Sequence, residues 1–238
     1  MEIRSLYCEP EQQSEDISWG ALEFVDVFKI YRSGPVETVA LRGLELRIEP
    51  RELVAVFGPS GSGKSTMLHL AAALDEPSAG DVRVAGRTLS RLEEPELAAY
   101  RAHDVALGFQ SDNLWPALSA QENVVLSLRL AEVERPNEAA ESSLAAFGLG
   151  ERTTHRASAL SGGEQQHVGI AAAAAREAKL VLADEPTAEL DERNEEIVLE
   201  ALRRLRDDFG STVVLVTHSP RVADAADRVI EIRDGRAT

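Results

Sequence analysis

The run ELVAVFGPSGSGKSTMLHLAAAL, Glu52–Leu74, decides how the rest of the chain is read. Its opening is a compact, β-branched segment that suits a strand buried on both faces. GPSGSGKST, Gly58–Thr66, fits the pattern G-x-x-x-x-G-K-S, and the apolar residues after it suit a helix. In such a loop the glycines Gly58, Gly61 and Gly63, with Pro59, Ser60 and Ser62 between them, let successive backbone N–H groups curl around phosphate oxygens. Lys64 adds a cation for the β and γ phosphates, and Ser65 a hydroxyl for Mg²⁺. The helix that begins near Thr66 presents its positive end. A strand before the loop and a helix after it make a chance glycine-rich turn a poor alternative, and the segment reads as a nucleotide phosphate site.

Two further runs have the same buried-strand character. KLVLAD ends in Asp184 and Glu185, and TVVLVTH ends in His218. Ligands bind at the C-terminal ends of strands in open parallel sheets, so these acids and this histidine stand where the chemistry would be. Asp184 suits Mg²⁺, held through water. Glu185 suits polarisation of an attacking water, and His218 suits a γ-phosphate contact. Taken alone, an acidic pair after a strand is usually a solvated cap, and a lone histidine is usually structural. Their company in one sheet favours the functional reading. Gln110, in GFQSDNLWP, could sense Mg²⁺ or the γ phosphate, and position alone leaves a plain loop glutamine equally open.

ALEFVDVFKIY, LRGLELRIE and DVRVAG alternate apolar and polar residues and predict half-buried, antiparallel strands. Residues from about Leu114 to Leu160 are rich in Ala, Leu and Glu and predict a helical insertion, placed at about 112–160. Residues 1–20 are acid-rich and read as a polar extension; one domain is expected over 21–238. The chain has 238 residues and a formal charge of −16, which disfavours a general nucleic-acid binder. A single cysteine, Cys8, excludes an intrachain disulfide framework. The first residues lack the basic start and apolar run of a signal peptide, and no stretch is apolar enough to span a bilayer. A membrane role would therefore come through a partner.

LSGGEQQHVGIAAAA begins at Leu160, with Ser161 and Glu164 spaced as a capping box for a helix start. The paired glycines Gly162 and Gly163 weaken such a helix but allow close approach to its end. The order GPSGSGKST, GFQ, LSGGEQQ, LVLADEPTAELD, VTH resembles the ATP-binding cassette (ABC) ATPases over nearly the whole chain after residue 20. The resemblance implies an α/β P-loop fold: a mixed RecA-like core sheet, an antiparallel β subdomain and an inserted α-helical subdomain. It implies ATP and Mg²⁺ as ligands, with Ser65, Gln110 and Asp184 around the metal. It also implies a homodimer or heterodimer in which Ser161, Gly162 and Gly163 of one subunit cap the γ phosphate held by the other. Tyr31 resembles the aromatic residue that stacks on adenine, with an ordinary strand-end tyrosine as the alternative. Asp191 resembles the residue that links the two sites.

Wording such as NLWPALSAQENV is similar to the lipoprotein-releasing, macrolide-exporting and cell-division branch. That implies an ATPase subunit on the cytoplasmic membrane face that powers a transmembrane permease. The alternatives are a soluble non-transport ABC ATPase and a weakly hydrolysing regulatory subunit. The sequence departs from the family pattern at His167 and Ala172, where arginine is usual, and at Arg51 and Ala188, where glycine is common.

Overall fold

The computed structural model describes residues 22–34, 36–108, 114–188 and 190–238. The expected extension at 1–20, and Gln110, lie outside the described residues. The first part of the chain forms β1 (Leu22–Ser33), β2 (Val36–Ile48), β3 (Leu53–Phe57), α1 (Lys64–Ala71), β4 (Ala79–Val84) and β5 (Arg87–Thr88). It continues through α2 (Glu94–Ala99), a π turn at Tyr100–Asp104, β6 (Val105–Gly108), α3 (Ala120–Leu130), α4 (Pro136–Ala146) and α5 (Gly162–Ala175). The last part holds β7 (Leu180–Asp184), α6 (Glu192–Asp207), β8 (Thr212–Thr217), α7 (Pro220–Ala223), β9 (Arg228–Arg233) and β10 (Arg236–Ala237).

Two sheets result. The alternating segments pair as a four-stranded antiparallel sheet in the order β2-β1-β4-β5. The buried runs join a six-stranded sheet in the order β10-β9-β3-β8-β7-β6, parallel from β9 to β6. The antiparallel β9–β10 hairpin closes one edge. Compact apolar runs in the sequence predicted β3, β7 and β8; β6, β9 and β10 complete the sheet without having been predicted from pattern.

The parallel strands are buried on both faces, and their period of two divides the core. Leu53, Ala55, Val181, Ala183, Val213 and Leu215 face one cluster, shared with α3 to α6. Val54, Val56, Leu180, Leu182, Val214 and Val216 face another, shared with α1 and the antiparallel sheet. The predicted helical insertion is α3 and α4, packed on one another and on α5. Buried Ser143 fastens α4 to α5 by donating to the Ala171 carbonyl at 2.7 Å.

Candidate nucleotide site

The sheet order sets the site. β3, β8 and β7 are immediate neighbours, so their C-terminal ends present the phosphate loop, His218 and Asp184–Glu185 side by side. Gly58–Ser62 and His218 line one cavity. A side chain on Gly58 would drive into the Ile232 carbonyl, and Gly63 has φ 104, a region open to glycine. A Cβ on Gly63 would also stand 2.5 Å from the Ala40 oxygen. The loop is therefore bare backbone wedged between strands, which leaves room for an anion on its open side.

Lys64, at the start of α1, is 7 % exposed. Its ammonium donates to the carbonyls of Gly58 and Pro59 at 2.8 and 3.0 Å. Neither partner neutralises the charge, and a buried cation with dipoles alone for company favours an anion. The buried Ser62 hydroxyl has no hydrogen-bond partner among the described residues. A bare backbone cradle, a buried uncompensated ammonium and an orphan hydroxyl together fit a triphosphate. For Mg²⁺, no cluster of three acidic, histidine or cysteine side chains occurs among the described residues. The donors expected for it, the Ser65 hydroxyl in α1 and the Asp184 carboxylate at the end of β7, are oxygen ligands of the kind Mg²⁺ takes.

Glu185 follows β7 in the left-handed region, with φ 48. For a glutamate this costs about 1–2 kcal/mol. The turn is held by Glu185 N–H donating to Val216 O at 3.0 Å and Ala188 N–H donating to Glu185 O at 3.2 Å. The bend carries the carboxylate over β8, where Glu185 Oε1 meets His218 Nδ1 at 2.8 Å. A carboxylate can only accept, so Nδ1 holds the proton in this contact and Nε2 faces away from Glu185.

Tyr31 lies near the end of β1 and is exposed, and its hydroxyl donates to Asp75 Oδ2 at 2.9 Å. The Lys29 ammonium stands 5.0 Å from the ring centroid and pairs with Asp75. Burial pushes the Tyr31 hydroxyl's pKa up, and Asp75 adds to the effect. At Asp75 burial works against the charge, but Lys29, the Glu76 N–H and Tyr31 outweigh it and hold the carboxyl below its usual range. The sequence reading missed Lys29 and Asp75, which have no motif of their own.

The capping box expected at Ser161 is formed: Glu164 N–H donates to Ser161 Oγ at 3.3 Å and Ser161 N–H to Glu164 Oε2 at 2.9 Å. Gly163 packs against Asn194 of α6, where a Cβ would touch its side chain at 3.4 Å. Asp191 caps α6, accepting from Asn194 N–H at 2.8 Å. No described contact joins Ser161, Gly162, Gly163 or Asp191 to the phosphate loop of the same chain. The structure thus gathers Gly58–Thr66, Glu185 and His218 at adjacent strand ends and holds the α5 start apart, against α6. The four departures are accommodated. Arg51 has φ 61, which explains a preference for glycine there, and its N–H donates to Thr212 Oγ1 at 3.0 Å. Ala188 has no positive φ. The His167 ring nitrogens lie 3.3 and 3.4 Å from the Phe147 and Ile197 carbonyls, and Ala172 is half-buried.

A family model described as ABC transporter matches residues 41–188, and the chain belongs to this family of ATP-hydrolysing cassettes. It is 45 % identical over 218 residues to an ABC transporter ATP-binding protein of Thermotoga maritima, covering 90 % of this chain and 92 % of the relative. It is 42 % identical over 217 residues to the lipoprotein-releasing system ATP-binding protein LolD of Geobacter metallireducens, covering 90 % and 96 %. The macrolide export ATP-binding/permease protein MacB of Azoarcus sp. is 42 % identical over 229 residues, 95 % of this chain but 35 % of that longer protein. Among solved structures, the dimeric bacterial ABC transporter cassette MJ0796 superposes with a TM-score of 0.83 at 36 % identity, over 91 % of this chain and 96 % of the other. A dimeric post-hydrolysis state of that cassette bound to ADP and Pi gives 0.82 at the same identity and coverage.

Proposed function

We propose that this cassette binds Mg²⁺-ATP on Gly58–Thr66, hydrolyses it with Glu185 and His218, and powers a membrane permease from the cytoplasmic face. The observation that carries the reading is the juxtaposition of three strand ends, with Glu185 and His218 in direct contact beside the phosphate loop. The Lys64 ammonium and the loop amides bind and orient the β and γ phosphates. Glu185 orients and polarises the attacking water; His218, held through Nδ1 by Glu185, offers Nε2 toward the γ phosphate. Ser65, Asp184 and Gln110 would hold Mg²⁺, which supplies charge neutralisation on the phosphate oxygens.

Ser161 and Gly162 are exposed at the start of α5, Gly163 is buried against Asn194, and no described contact joins the three to their own phosphate loop, which supports a role toward a second subunit's nucleotide. The free N–H groups and dipole of α5 suit an anion there. The dimers among similar solved structures favour the same arrangement. Among the described residues no helix is long and apolar enough to cross a membrane. The relatives named for lipoprotein release and macrolide export support a permease as the driven partner. The direct test is Lys64→Ala, expected to abolish turnover and weaken ATP binding. Unchanged turnover in the purified, folded variant would remove this site from consideration.

A further inference from the structure

The phosphate loop is braced from outside its own strand and helix. β9 and β10 are joined by Asp234 and Gly235, with φ 49 and 76, and Arg233 pairs with Arg236 across them. Two positive φ values in a two-residue loop define a type I′ turn, for which Asp-Gly is a favoured pair. The buried Gly235 N–H donates to the Ser62 carbonyl at 3.0 Å, and the Gly235 carbonyl accepts from Arg42 N–H at 2.9 Å. Arg236 Nε adds a bond to the Arg42 carbonyl at 3.1 Å.

The fit allows no side chain. A Cβ on Gly235 would stand 2.6 Å from the Ala40 oxygen, the same atom that a Cβ on Gly63 would meet at 2.5 Å. Ile232, just before the turn, supplies the carbonyl that closes over Gly58. Gly58, Ser62 and Gly63 are thus clamped between β2 and the C-terminal hairpin mainly by backbone groups, with the Leu41 side chain closing on Gly63.

We propose that the Asp234–Gly235 turn is a positioning element for ATP: it fixes the Ser62 peptide so that the loop amides stay aimed at the phosphates. This rests on the reading of Gly58–Thr66 as the phosphate site. If the turn relaxes, the binding-competent loop becomes a fraction of the population, and apparent affinity falls by that fraction. Once nucleotide is bound, the loop is held by its own phosphate contacts, so turnover at saturation changes little. Weak binding with preserved kcat separates positioning from general destabilisation.

Asp234 is exposed but lines the same cavity as Gly58–Ser62 and His218, so two variants that remove its charge alike isolate the conformation of the turn. The full chain carrying Asp234→Asn is compared with Asp234→Val; both remove the same charge. Asparagine tolerates positive φ, whereas a β-branched residue does not. ATP affinity is measured by nucleotide titration and turnover over a range of ATP, with Lys64→Ala as the control. The Val variant is expected to bind ATP about tenfold more weakly than the Asn variant and raise KM similarly, with kcat within about twofold. Equal affinities in the two variants would overturn the proposal. If the two bind equally while Lys64→Ala loses binding, the turn alone is refuted; if Lys64→Ala also binds normally, the phosphate site itself is misplaced. Amide exchange on the unmodified chain gives a second measure that needs no variant. Saturating ATP should slow exchange at the Gly235 N–H, because ligand and turn stabilise the same loop state. An unchanged rate there would refute the coupling.

Discussion

Ser161→Ala separates two roles that the structure allows for one hydroxyl. Within the chain, Ser161 Oγ accepts from Glu164 N–H at 3.3 Å and donates to Glu164 Oε2 at 3.0 Å. Loss of a serine N-cap costs about 1 kcal/mol, and the long 3.3 Å bond, with the Ser161 N–H to Glu164 bond retained, places this case in the lower half of that range. For a domain of this size that lowers Tm by about 2 °C. If Ser161 also donates to the γ phosphate of a second subunit, each of two symmetric sites loses a charge-assisted hydrogen bond worth about 1.5–3 kcal/mol. The dimer then loses about 3–6 kcal/mol, a weakening of roughly 10²- to 10⁴-fold. The assay is sedimentation with saturating Mg²⁺-ATP in a Glu185→Gln background, which keeps the side chain's shape, removes its carboxylate and is expected to accumulate the ATP-bound dimer. Thermal melting without ATP runs in parallel. A dimer dissociation constant within about threefold of the parent, alongside the small Tm loss, would refute the intersubunit role and leave Ser161 a helix cap.

Tyr31→Ala should weaken ATP binding by roughly 5- to 100-fold, the range for a lost base stack, while Tyr31→Phe should keep most of the affinity; a nucleotide titration distinguishes them. Equal losses in both would assign the effect to the Asp75 hydrogen bond. His167→Arg with Ala172→Arg should raise turnover and leave ATP affinity nearly unchanged, because neither residue touches the phosphate loop; a large affinity change measured by titration would contradict that placement. Glu164 is held below the usual carboxylate range, first by the Ser161 N–H and further by the Ser161 hydroxyl and Arg152. With its pKa lowered on folding, its contribution is present above the unfolded value and lost as pH falls through the folded one. The stability gap between the parent and Glu164→Gln should therefore shrink below about pH 4.3 in melts over a pH series; a constant gap would show that the charge is not what stabilises the cap.

Much of this was legible because local chemistry announced it. The glycine-rich loop, the acidic pair, His218 and the Ser161–Glu164 spacing each have a residue signature, and β3, β7 and β8 are apolar runs that suit burial on both faces. Strand order is different. The contact between Glu185 and His218 exists because β7 and β8 are neighbours, and nothing in either segment specifies that. β6 is four residues at a sheet edge and β10 is two, too short for periodicity to register. RVIEIR, by contrast, did carry an alternating signal for β9, masked by its charged residues. The junction of Gly235 with Ser62 is made of peptide groups, which every residue carries and no motif marks. Asp191 shows the opposite limit. The family resemblance implies a link between subunits, while the fold gives its carboxylate a local task at the start of α6.

The division of β3, β7 and β8 into two faces has an evolutionary reading. Neighbouring residues on one strand answer to different selective demands: Val54 and Val56 serve the layer shared with α1, Leu53 and Ala55 the layer that includes α3 and α4. A substitution at an odd-numbered position of β3 is felt in the layer shared with α3 to α6, and one at an even-numbered position in the layer that carries α1 and its phosphate loop.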